Sequence, residues 1–155
     1  MIYVTSGSSP LGYDELFSAC DAIAARNRLW QFTGQIGNST FKPAHYKYQR
    51  WYSHQEMLEN IKAAALVISH AGFGIISESL RSNKKLIVVP RLSKSYHSQS
   101  SLADYLHNEG YLVCVKDLSM LEDSIRYLLT NDLKKYNSNT IIPELINDYI
   151  SGFTR

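Results

Sequence analysis

Ala65-Leu-Val-Ile-Ser-His-Ala-Gly-Phe-Gly-Ile-Ile-Ser-Glu-Ser-Leu80 and, after four intervening residues, Lys85-Leu-Ile-Val-Val-Pro90 decide how this chain folds. Leu66-Val-Ile68 and Leu86-Ile-Val-Val89 are short, continuous and rich in β-branched residues, the pattern of parallel strands covered on both faces. Between them, Gly72 and Gly74 stand where a strand hands over to a helix. Small residues there let backbone N–H groups approach an anion at the positive end of the helix. Glu78 lies four residues after Gly74, so it projects from the same helix face about one turn further in. A carboxylate one turn behind a phosphate site can accept hydrogen bonds from ribose hydroxyls. Strand, turn, helix and acid together describe half of a nucleotide pocket.

Bulk properties agree with a globular α/β chain. At 155 residues it fits one domain with a sizeable core, and 45% hydrophobic against 19% charged residues excludes a disordered chain. No apolar run approaches the ~18–20 residues of a membrane span. Met1-Ile-Tyr-Val-Thr5 enters a strand directly, with no signal peptide expected. Cys20 and Cys114 are lone cysteines in apolar surroundings, expected as reduced core residues. The net charge of +2 is unevenly spread: Asp21–Glu56 and Glu78–Asp104 enclose stretches with basic residues and no acid between. That fits a solvated basic surface, an anionic substrate, an anionic membrane surface or nucleic acid.

Alternating strand and helix patterns run through the chain, so a parallel sheet with helices on both faces is the expected architecture. Ile2–Thr5 reads as the first strand, turning at Ser6-Gly-Ser-Ser-Pro10 into a helix buried through Leu11, Leu16, Phe17, Cys20, Ile23 and Ala24. Leu29–Thr33 is the second strand candidate; Gly34-Gln-Ile-Gly-Asn38 after it is not a G-x-G-x-x-G fingerprint and disfavours a nicotinamide or flavin enzyme. Phe41–Tyr52 interleaves basic and aromatic residues. It fits a half-exposed strand through Tyr46 and Tyr48, a surface that stacks on bases or sugars, or one covered by a protein partner. Ser53-His-Gln-Glu56 is a capping box for a helix burying Met57, Leu58, Ile61 and Ala65, and Ser119-Met-Leu-Glu122 reads as a second, its helix inward at Leu121, Ile125, Leu128 and Leu129. After a polar 91–101 loop, a helix through Leu102, Ala103, Tyr105 and Leu106 ends at Gly110, and Tyr111–Val115 is another strand. Residues 131–155, divided by Pro143, carry an amphipathic stripe from Ile142 to Phe153 that packs on the domain, a partner or a membrane interface.

His70-Ala-Gly-Phe-Gly-Ile-Ile-Ser-Glu78, with the segment ending Val88-Val-Pro90, resembles the carboxyl-terminal domain of family 28 glycosyltransferases. The likeness runs over residues 1–130, taken as a UDP-sugar-binding domain with 131–155 as a helical tail. It is nearest to short one-domain members: the cytosolic subunit of the two-part UDP-N-acetylglucosamine transferase of dolichol-oligosaccharide synthesis, and bacterial counterparts from exopolysaccharide and capsule operons. The latter share segments like Gln35-Ile-Gly-Asn-Ser39 and Val89-Pro-Arg-Leu92. The resemblance implies a Rossmann-like sheet equivalent to the second half of a two-domain GT-B enzyme. It implies a UDP-sugar site at Gly7, Ser8, Ser9, His70, Gly72, Phe73, Gly74, Glu78, Arg91 and Gln99. Where the family often has Asn/Asp-His-Gln, this chain has His97-Ser-Gln99, which leaves the sugar open.

Inverting transfer needs a stabilised diphosphate, a held acceptor and a general base. The first is present; for the base only Asp14, Glu15 and His97 offer themselves, and the catalytic residue is left unassigned. Family enzymes place the acceptor and base mostly in the first of two domains, and this chain resembles only the second. The expectation is therefore a donor-binding subunit of a split UDP-sugar transferase for surface polysaccharide, at the cytosolic membrane face. A membrane-anchored partner would hold a lipid-linked sugar acceptor, and the isolated chain could form a homo-oligomer. The alternative is a nucleotide-sugar-binding or regulatory module without catalysis. No metal, other cofactor or nucleic acid is expected: His45, His54, His70, His97 and His107 show no ligand spacing, and an RNA-binding domain would rest on residues 41–52 alone.

Overall fold

A computed structural model of the chain describes residues 1–91 and 97–137, the side chains of 97–100 excepted. Among these residues six parallel strands form one sheet: β1 (Ile2–Thr5), β2 (Phe32–Gln35), β3 (Lys47–Gln49), β4 (Leu66–Ser69), β5 (Lys85–Val88) and β6 (Val113–Cys114). Their order is β3-β2-β1-β4-β5-β6. The helices between them are α1 (Asp14–Arg26), α2 (His54–Ala63), α3 (Phe73–Arg81), α4 (His97–Asn108) and α5 (Leu121–Thr130). In register, Ile2 faces Phe32 on one side and Leu66 on the other, and Leu66 faces Lys85.

Strand alternation divides the core in two. Ile2, Val4, Leu66, Ile68 and Ile87 pack against Leu16, Phe17, Cys20 and Ile23 of α1 and Leu121, Ile125 and Leu128 of α5. Tyr3, Val67, Leu86 and Val88 point the other way, onto Ile61 of α2, Ile75, Ile76 and Leu80 of α3, and Ala103 and Leu106 of α4. Each of these buried aliphatic side chains stabilises the fold by about 1.5–3 kcal/mol. Leu133 and Tyr136 continue the packing past α5. The expected tail helix and most of the 91–101 loop lie outside the described residues, although α4 begins at His97, inside that loop.

Several boundaries differ from the sequence reading, each for a local reason. Trp30 N–H donates to the Asn27 carbonyl (2.8 Å), so a tight turn consumes 27–30; Leu29 is 96% exposed and β2 starts at Phe32 instead. Pro10 and the exposed Leu11 precede α1, which begins only at Asp14. In α2, Ala64 is buried and Ala65 exposed, because the helix has already given way to an extended residue at Ala64. The second capping box does not form: Asp117 accepts from the Ser119 N–H in a 3-10 turn. Glu122 instead bonds Arg26 (2.6 Å) and Asn27 (2.9 Å), tying α5 to α1. Leu129 is exposed rather than inward. The last strand is short because Tyr111 N–H still caps α4 by donating to the Leu106 carbonyl (2.9 Å), just after Gly110 at φ +81°. By contrast, Ser53 and Glu56 form the capping box as expected.

Candidate functional site

In a parallel sheet of this order, the strand order reverses between β1 and β4, and the loops leaving their carboxyl ends diverge to open a crevice. A cleft of about 590 Å³ lies there. It is lined by Gly7, Ser8, Ser9 and Pro10 after β1, by Gln35 ending β2, and by Trp51, Tyr52, His54 and Met57 after β3. After β4 come His70, Gly72, Phe73, Gly74, Ile75 and Glu78. Eight of the ten residues expected from sequence therefore share one cavity, although two separate loops supply them.

The β4–α3 turn is built to leave a helix end open. Gly72 caps α3 with no side-chain hydrogen bond, and its first turn carries no acid. By helix geometry the N–H groups of Phe73, Gly74 and Ile75 have no carbonyl one turn back, so they point at the cleft with the positive end of the helix dipole. A Cβ built on Gly74 meets nothing within 4 Å, so no protein neighbour requires glycine there.

His70 sits beneath this turn, only 8% exposed. Its ring fills the space between the two loops: a Cβ on Gly72 would lie 2.6 Å from Cε1 and Nε2, and one on Gly7 would lie 3.2 Å from Cε1. Gly7 also holds φ at +58°, a conformation that favours glycine. Burial, with the nearby Arg91 charge, brings the His70 pKa down to about 4. The imidazole is thus neutral near pH 7, offering one N–H and one lone pair rather than a charge. Its Nδ1 is buried with no hydrogen-bond partner among the described residues.

Two exposed aromatic side chains also line the cleft, Trp51 (47%) and Phe73 (49%), whose faces suit a planar ring. Trp51 lies over the Gly37 turn, where φ is +53° and a Cβ would come within 3.1 Å of the indole. Glu78 faces the cleft one turn into α3, with no hydrogen bond to its carboxylate among the described residues. His54 and Met57 are wall residues that sequence reasoning did not assign, while Gln35, Trp51 and Tyr52 come from two segments it raises without naming them as site residues, the Gln35–Ser39 stretch and the basic–aromatic run. Of the readings open to the basic–aromatic run, the half-exposed strand is the one that forms: β3 spans Lys47–Gln49, Tyr46 and Tyr48 are half-buried against the core, and Trp51 and Tyr52 line the cleft.

Arg91 is not among the cleft residues. Its guanidinium stacks 4.4 Å from the Tyr13 ring and donates to the Leu11 (3.2 Å) and Gly12 carbonyls, bracing the turn before α1. The Gln99 and His97 side chains lie outside the described residues. Asp14 accepts from the Thr40 N–H (2.8 Å) and hydroxyl, which hold its carboxyl below the ordinary range; neither Asp14 nor Glu15 lines the cleft. Among the described residues no three His, Cys, Asp or Glu side chains gather around a metal position, and no helix is long and apolar enough to cross a membrane.

The family model for the glycosyltransferase family 28 C-terminal domain matches residues 1–145. The UDP-N-acetylglucosamine transferase subunit ALG13 of Homo sapiens is 34% identical over 121 residues, which cover 72% of this chain and 10% of that protein. The chain thus spans about a tenth of that relative's length. The NMR solution structure of ALG13 superposes with a TM-score of 0.68 at 19% identity, over 99% of this chain and 96% of that one. The crystal structure of the glycotransferase of kitacinnamycin gives a TM-score of 0.67 at 18% identity, over 97% of this chain and 37% of that one. At such identities the structures speak for the fold: the Rossmann-like half of a GT-B glycosyltransferase.

Proposed function

The chain belongs to the glycosyltransferase family 28 C-terminal domains, and from that premise we propose that it is the donor-binding subunit of a split UDP-sugar transferase. The observation carrying this reading is the uncapped α3 amino terminus opening into the same cleft as Glu78 and the Trp51–Phe73 faces. Phe73, Gly74 and Ile75 N–H groups would hold the diphosphate, Glu78 the ribose hydroxyls, and the Gly7–Ser9 turn would close the phosphate side. When the acceptor oxygen attacks the anomeric carbon with inversion, the bond to the β-phosphate oxygen breaks and UDP takes the electron pair. The helix end meets that developing charge without reorganising, so no metal is needed for it.

Among the described residues, neither His70 nor Asp14 is placed to take the acceptor's proton. His70 is buried and weakly basic, and Asp14 is committed to Thr40. A partner subunit supplying the base and a lipid-linked acceptor at the cytosolic membrane face accounts for this. The named relatives make UDP-N-acetylglucosamine the first donor to test. A surface-polysaccharide acceptor rests on the likeness of the Gln35–Ser39 and Val89–Leu92 segments to bacterial family members.

Calorimetric titration with UDP and UDP-sugars tests the site. Glu78→Ala should weaken UDP by about ten- to a hundredfold, roughly 1.5–3 kcal/mol, and leave inorganic pyrophosphate binding unchanged. Equal UDP affinity in both proteins would remove Glu78 from the ribose. Sugar turnover only when the partner is added separates a catalytic subunit from a binding module that never turns over.

A further inference from the structure

Gln35 occupies an unusual place in the cleft. It ends β2, which lies between β1 and β3, so its side chain sits between the loops leaving those two strands. It is 4% exposed, and both ends of its amide are used. Nε2 donates to the Gly7 carbonyl (3.1 Å), and Oε1 accepts from the Tyr52 N–H (3.1 Å). One planar group therefore joins the phosphate-side turn to the aromatic wall. Among the described residues no other side chain bonds both.

We propose that Gln35 is a positioning residue that sets the distance between the Gly7 turn and the Tyr52 wall, and through it the affinity for a ligand that touches both. This rests on the donor-site reading above. The geometry demands a donor and an acceptor on one planar group. Ionised glutamate has the shape but only acceptors, and turns a carboxylate oxygen onto the Gly7 carbonyl. Protonated glutamate restores the missing donor. A burial this deep raises a carboxyl pKa toward neutrality, so the exchange falls in an accessible pH range.

The test is UDP affinity of wild type, Gln35→Glu and Gln35→Met, each compared with wild type at the same pH. At pH 8 both variants should bind UDP about tenfold or more weakly. At pH 5.5 the Gln35→Glu deficit should shrink severalfold while the Gln35→Met deficit persists, a difference that a general loss of packing would not produce. If Gln35→Glu does not fold, Gln35→Met, uncharged and of similar length, still decides the matter. Wild-type affinity in Gln35→Met, or a Gln35→Glu deficit indifferent to pH, would overturn the proposal and leave the donor site standing. A wild-type chain that binds no UDP would overturn both.

Discussion

Two helices present their amino termini to the same cleft, and they are finished in opposite ways. α2 is closed: Ser53 accepts from the Glu56 N–H (3.2 Å) while the Glu56 carboxylate accepts from the Ser53 N–H (2.8 Å). α3 is open, with glycine at its cap and no acid in its first turn. A cap of the α2 kind stabilises a helix by about 1 kcal/mol, and α3 forgoes it while being the more deeply packed of the two. The contrast separates a helix end closed by its own side chains from one whose first N–H groups meet no capping side chain.

Putting an acid on the open end should erase the contrast and have the largest effect. Gly74→Asp has room for its side chain and satisfies the helix dipole, so thermal stability should hold or rise by about 0.5–1 kcal/mol. Its carboxylate would occupy the diphosphate position, and UDP affinity should fall by about a hundredfold or more by calorimetry. Unchanged UDP binding in a folded variant would mean that the helix end holds no phosphate.

The open end should also carry a pH dependence. Because burial lowers the His70 pKa from 6.5 to about 4, the unfolded chain takes up this proton first. The stability involved is whole above pH 6.5 and drains as pH falls toward 4, by about 2 kcal/mol between pH 7 and pH 5. Urea unfolding across that range should show a shallower slope in His70→Gln. Parallel slopes would place the ring in contact with solvent.

The smallest change belongs to the closed end. Ser53→Ala should cost about 1 kcal/mol in urea unfolding and leave UDP affinity within twofold. A larger loss of affinity would make the α2 terminus part of the ligand site and dissolve the distinction.

What was legible in the sequence was what local chemistry decides. The strand–turn–helix–strand run from Ala65 to Pro90, the Ser53–Glu56 box and the Gly110 cap each need only neighbours a few residues away, so the pattern and the structure agree. Where a partner came from a distant segment, the reading failed. Glu122 left its box for Arg26 and Asn27, some 95 residues earlier, because an inter-helix ion pair competes with a local cap. Arg91 turned from the cleft to the Tyr13 ring.

The sequence by itself thus determined the alternation of elements, the family, and the glycines and acid of one wall, since these follow from periodicity and short spacings. Only the tertiary structure decided the other wall. Strand order sets β2 between β1 and β3, and this brings Gln35 to Gly7 and Tyr52 and Trp51 to the cleft that Phe73 also lines. No spacing along the chain records which strands become neighbours, so no reading of the residues in order could have assembled that side of the cleft.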